Sequence, residues 1–81
     1  MYRLKYDPAA GGGVHEAMPP AASEALTLAL ADACHDPYTA TEPYGVDDGI
    51  TRMLVTPQAF AVLMVGKQED AITILQITYL G

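Results

Sequence analysis

The C-terminal stretch Gly49–Gly81 reads GITRMLVTPQAFAVLMVGKQEDAITILQITYLG, and its punctuation decides the fold. Three apolar runs, about Gly49–Val55, Ala59–Val65 and Ala71–Leu80, are separated by TPQ and GKQED. Both connectors are short enough for hairpins, so the three runs predict an antiparallel meander. The strands are too apolar for a sheet with one wet face. AFAVLMV shows no clean alternation, and ITILQITYL carries aliphatics at both parities. A helical layer covers one face only, so apolar surface is expected on the other, as a binding site or a dimer seam.

Upstream, YRLKY alternates: Tyr2, Leu4 and Tyr6 on one side, Arg3 and Lys5 on the other. That pattern predicts a half-buried strand, closed by Asp7-Pro8. Asp7 and Pro8 announce a helix, but Gly11, Gly12 and Gly13 follow, at a cost of about 3 kcal/mol relative to alanines. The first helix is therefore expected to be short, with VHEAM as its remnant. From about Pro20 to His35 the chain is rich in alanine and leucine, and Leu26, Leu30, Ala33 and Cys34 form one stripe at helical spacing. Asp36-Pro37 ends this second helix, because a residue before proline avoids the α region. A polar loop, about Tyr38–Asp48, leads back to the meander. The order β-α-α-β-β-β predicts an α+β fold: a single small domain over residues 1–81, with a mostly antiparallel four-stranded sheet and helices packed on one face.

Composition narrows the function. The chain is 51% hydrophobic and 17% charged, which excludes a disordered tail. Four cations against ten acids leave a net charge of -6, so a free polyanion is repelled and direct nucleic-acid binding is not expected. One cysteine allows no internal disulfide. MYRLKYDP has no apolar signal core, and the run Phe60–Val65 is too short to span a bilayer. A cytoplasmic protein without membrane contact is the expectation.

Few residues invite chemistry. Cys34 and His35 are adjacent on a helix and point about 100° apart, so they make no nucleophile–base pair. HEAM lacks the second histidine of a zincin helix, AAGGGVH lacks the lysine of a phosphate loop, and Asp47-Asp48-Gly49 suits a turn. No metal and no cofactor are implied. Arg52 shares strand parity with Ile50 and Leu54. It is expected to be a solvated strand cation paired with Asp47 or Asp48, so that lysine could replace it without loss of stability. If the first strand joins the sheet, Arg3, Lys5 and Arg52 would line one side with Tyr79 nearby, a binding cluster for a phosphodiester or for a partner's carboxylates.

Several stretches together resemble the small toxins of the RelE/ParE superfamily. They are the opening YRLKYDP, the loop from Asp36-Pro37 to Pro43-Tyr44-Gly45, the arginine-bearing GITRMLV, AFAVLMV, and a final strand ending ILQITYLG. The likeness spans nearly the whole chain. It implies a toxin of a toxin–antitoxin system, with Arg52 at the family's second-strand arginine and Tyr79 near the C-terminal catalytic or target-contacting stretch. An antitoxin-type partner, or a homodimer, is implied; ribosome or gyrase as target follows only from the resemblance. Here GGGVHEAM stands where the family has a long helical hairpin, and TPQAFAV lacks a further arginine common in ribonuclease members. These differences favour a non-catalytic module that acts by protein–protein interaction through its sheet and groove. The alternative is a ribosome-dependent mRNA endoribonuclease with Arg52 and Tyr79 as catalytic residues and Arg3 and Lys5 as binding residues.

Overall fold

The three apolar runs form β3 (Thr51–Val55), β4 (Ala59–Gly66) and β5 (Ala71–Tyr79), joined as the expected meander. The structure is a computed structural model and describes residues 1–7, 15, 17–45 and 48–81. The Thr56 side chain closes the first turn. Its hydroxyl donates to the Ala59 carbonyl at 3.0 Å and accepts the Ala59 N–H at 3.1 Å. The second turn, after Gly66, ends on Asp70 at a φ of 51°, a left-handed conformation that aspartate tolerates better than most residues. Leu75 is an extra residue in β5: Leu63 pairs with Ile74 and Val62 with Gln76, a bulge that bends the strand.

The first strand, β1 (Arg3–Tyr6), joins β5 in parallel, giving the strand order β1-β5-β4-β3-β2. The sheet thus has five strands where four were expected. The addition is β2 (Glu42–Pro43), a two-residue edge pairing with Met53 and Arg52. Proline suits an edge strand, since it has no N–H to offer a ladder. The segment expected as a polar loop from Tyr38 also contains a helical turn, described below. β1 differs from its expected half-burial: all four residues are exposed, and among the described residues no strand pairs with its far side.

The alanine- and leucine-rich segment forms α1 (Pro20–His35) and stops before Asp36-Pro37 as expected. Asp36 adopts φ −148°, ψ 88° and caps a second, single-turn helix, α2 (Pro37–Ala40), accepting from the Thr39 N–H at 3.3 Å and the Thr39 hydroxyl at 2.7 Å. The stripe of α1 is Ala22, Leu26, Leu30, Ala33 and Cys34, all buried in one core with Leu54, Leu63, Ile72 and Ile74. Burying each leucine or isoleucine stabilises the fold by about 1.5–3 kcal/mol. The N-terminus is tied to this helix by the Tyr2 N–H, which donates to the Cys34 carbonyl at 2.8 Å. Of the short first helix expected around VHEAM, Val14 and Glu16 lie outside the described residues, while His15 and Ala17 are helical and Met18 is buried in the core.

Strand register separates two faces. The row Tyr6–Ile74–Leu63–Arg52–Pro43 crosses all five strands and faces α1. The alternate row Lys5–Thr73–Met64–Thr51 lies on the side that no helix of the described residues covers.

Candidate partner-binding surface

By alternation along β3 and β4, the uncovered face presents Met53, Val55, Phe60, Val62 and Met64. Val62 is buried by its neighbours on this face, whereas Val55 and Met64 are exposed, at 57% and 41%. The strand composition anticipated this apolar surface on the sheet face opposite α1.

The register corrects the expected cation cluster. Arg3 and Lys5 point to the uncovered side, while Arg52 points to the helix side. Tyr79 also lies on the helix side by parity with Ile77, but it pairs with Ala59 at the far end of the sheet. Strand geometry puts its backbone about 17 Å from that of Arg52. The four residues therefore do not gather at one point.

Arg52 is also not the solvated cation expected. It is only 7% exposed. Its Nε donates to the Thr41 hydroxyl at 3.0 Å, and one terminal nitrogen donates to the carbonyls of Thr41 at 2.7 Å and Tyr38 at 3.3 Å. The Thr41 hydroxyl is free to accept because it donates its own proton to the Pro37 carbonyl. The guanidinium carbon lies 5.1 Å from the centre of the Tyr38 ring, a cation–π contact. Asp48 accepts the N–H groups of Ile50 at 2.9 Å and Thr51 at 3.0 Å, and these bonds hold its carboxyl below the usual range. It shapes the entry to β3. Asp47, the other acid expected beside Arg52, lies outside the described residues.

Tyr38 and Thr41 were not singled out from the sequence, and Lys67 stood out only as one of the four cations of the chain. Tyr38 donates its hydroxyl to the Gly49 carbonyl at 2.7 Å and meets the Lys67 ammonium at 5.0 Å from its ring centre. A groove of about 600 Å³ opens beside it, lined by Lys5, Thr73 and Met64 of the sheet, Ile50 before β3, and Lys67 and Glu69 of the second turn. Lys5 pairs with Glu69 at 3.6 Å. A lysine in a turn carries no sequence signal for such a place, since only the fold brings β1 beside that turn.

The remaining candidates stay apart. Cys34 is buried and His35 exposed, and burial pushes the Cys34 thiol up, away from the thiolate a nucleophile needs. His15 shares a 2.9 Å hydrogen bond with the Tyr6 hydroxyl through Nδ1, and its Nε2 lies 3.2 Å from the Thr27 hydroxyl, joining β1 to α1. Among the described residues, no three histidine, cysteine, aspartate or glutamate side chains are grouped to hold a metal. No helix among them is long and apolar enough to cross a membrane.

Comparison with protein-family models and with curated proteins finds no match. Solved structures do match, over the full length of the chain. The isolated RelE toxin of E. coli superposes with a TM-score of 0.81 at 15% identity, covering 100% of this chain and 86% of its own. The intact E. coli RelBE toxin–antitoxin complex gives 0.80 at 15% identity, with 100% and 99% covered. The RelBE2 toxin–antitoxin complex of Mycobacterium tuberculosis gives 0.77 at 16% identity, with 96% of each chain covered. With its mixed sheet, the helices packed on one face of it among the described residues and these superpositions, the chain has the RelE/ParE-like fold.

Proposed function

We propose that the chain is the toxin-like component of a toxin–antitoxin pair and acts by binding a protein through its sheet and groove. The observation that carries this reading is the end-to-end likeness to RelE structures, two of them from toxin–antitoxin complexes. The uncovered apolar face supports protein binding. The chain is acidic overall, at net charge -6, which opposes capture of free RNA. The binding reading is favoured over the nuclease because the residues a nuclease would need are separated. Arg52 donates its hydrogen bonds into the α2–β2 segment, and Tyr79 is at the other end of the sheet. Phosphoryl chemistry needs its cation and its proton-transfer group within hydrogen-bond reach of one substrate.

Induced expression of the chain, alone and with the protein encoded in the adjoining reading frame, tests this. Growth should stall with the chain alone and recover with both, and the two proteins should copurify. Ribosome-bound message should stay uncut during the stall. Cleavage that disappears in Tyr79→Phe would replace the binding reading with the endoribonuclease.

A further inference from the structure

Asp48-Gly49 is the one place in the chain where glycine follows an aspartate, and the sequence contains no asparagine. The carboxyl of an aspartate is open to attack by the backbone nitrogen of the next residue, which closes a cyclic imide. Of the other aspartates, Asp7 and Asp36 precede prolines, which have no N–H to lose. Asp32, Asp47 and Asp70 precede residues whose side chains crowd the attacking nitrogen. Gly49 has no side chain, and nothing lies within 4 Å of the place a Cβ would take. Asp48 itself is exposed.

The fold restrains both reacting groups. Oδ1 of Asp48 accepts the Ile50 N–H at 2.9 Å and the Thr51 N–H at 3.0 Å, which fixes the carboxyl plane. The same bonds, led by the one from Ile50, favour the carboxylate. Imide closure instead consumes the protonated acid, because one carboxyl oxygen must leave as water. Gly49 is held at a φ of 72°, and its carbonyl accepts the Tyr38 hydroxyl at 2.7 Å.

We propose that Asp48 is a site of spontaneous isoaspartate formation, latched in the folded chain by its bonds to Ile50 and Thr51 and by Tyr38. The conversion needs only water. When the latch opens, the Gly49 nitrogen bonds to Cγ of Asp48, a Cγ–O bond breaks, and the amide hydrogen leaves with the carboxyl OH as water. Water then cleaves the imide at either carbonyl. Cleavage at Cγ restores aspartate, whereas cleavage at the main-chain carbonyl leaves the chain running through Cγ. The backbone is then one carbon longer and the carboxylate one carbon shorter, so the residue no longer spans to both N–H groups. Ile50 lines the groove, and its carbonyl accepts the Val65 N–H at 2.8 Å. Conversion therefore loosens the start of β3 and one wall of the groove, and it records time spent with this segment open. The inference is independent of what the groove binds.

Incubation of the whole chain at neutral pH, native and in guanidinium chloride, is the test. Isoaspartate is read by enzymatic methyl labelling and located by electron-transfer fragmentation. It should build up at Asp48 in denaturant, and about tenfold or more slowly in the native chain, where charge-assisted bonds must break first. Tyr38→Phe keeps the ring, drops the bond to Gly49, and should speed conversion of the native chain. Ile77→Val, a core change far along β5, gives the baseline for global opening. With a trace of denaturant bringing the two variants to equal stability, Tyr38→Phe should still convert faster. Absence of isoaspartate at Asp48 in denaturant overturns the proposal. So do equal rates in the native and denatured chains, or equal rates in the two variants.

Discussion

Arg52 was expected as a cation in water and is instead a clamp on the backbone. Its Nε and one terminal nitrogen reach Thr41 while the same terminal nitrogen also reaches Tyr38, so the planar fork ties α2 to the residue that joins it to β2. A lysine ammonium is a single point on a flexible stem and cannot hold all three acceptors in that plane. Arg52→Lys should therefore lower the unfolding free energy by about 2 kcal/mol, the range for losing buried charge-assisted bonds. Urea denaturation measures it. A change below about 0.5 kcal/mol, typical of exposed positions, would show that the guanidinium is dispensable. The parity of Arg52 along its strand was readable from the sequence, but its burial was not. Parity is local, whereas burial depended on a threonine and a tyrosine eleven and fourteen positions upstream folding over it.

At the scale of elements, two aspartates act as short-range organisers. Asp36 caps α2 and Asp48 gathers the N–H groups that begin β3. The Thr39 hydroxyl holds the Asp36 carboxyl low, and the Ile50 N–H does the same for Asp48. A carboxyl held lower in the folded than in the unfolded state contributes stability above its unfolded value, about 3.9, and loses it as pH falls through the folded one. Stability should thus be level in these groups' contribution from pH 7 to about 5 and decline below about 4, as followed by thermal unfolding across that range. In Asp36→Asn/Asp48→Asn the part of the decline due to these groups should vanish; an unchanged acid limb would assign it to other carboxyls. The meander and α1 were legible because proline, short polar connectors and the Leu26–Cys34 stripe act within a few residues. The two-residue β2 was not, since Glu42-Pro43 has no strand pattern and pairs only because α2 delivers it to β3. The site was less legible than the fold. Lys5 was among the candidates, yet its neighbours Lys67 and Tyr38 are brought near it by chain crossings that leave no mark in composition.

For the whole molecule, the balance lies between a core on one side of the sheet and an apolar surface on the other. A chain of 81 residues buries a modest share of its surface, so a partner that covers the second face adds stability as well as occupying it. Val55→Lys, at an exposed position near the strand end, should leave unfolding of the free chain within about 0.5 kcal/mol. If an antitoxin-type partner covers this face, the same change should reduce the rise in melting temperature that the partner produces. An undiminished rise would place the partner elsewhere on the surface. The parallel pairing of β1 with β5 bears on how the protein is made. Arg3 meets Ala71, so the first strand is synthesised 68 residues ahead of its partner. At 5–20 residues per second the wait is roughly 3 to 14 s. During it, β1 has no partner and the surface built from β5 does not exist. A nascent chain is then unable to present either the finished sheet or the groove lined by Lys5 and Thr73, and a molecule that uses that groove can meet it only after β5 has emerged.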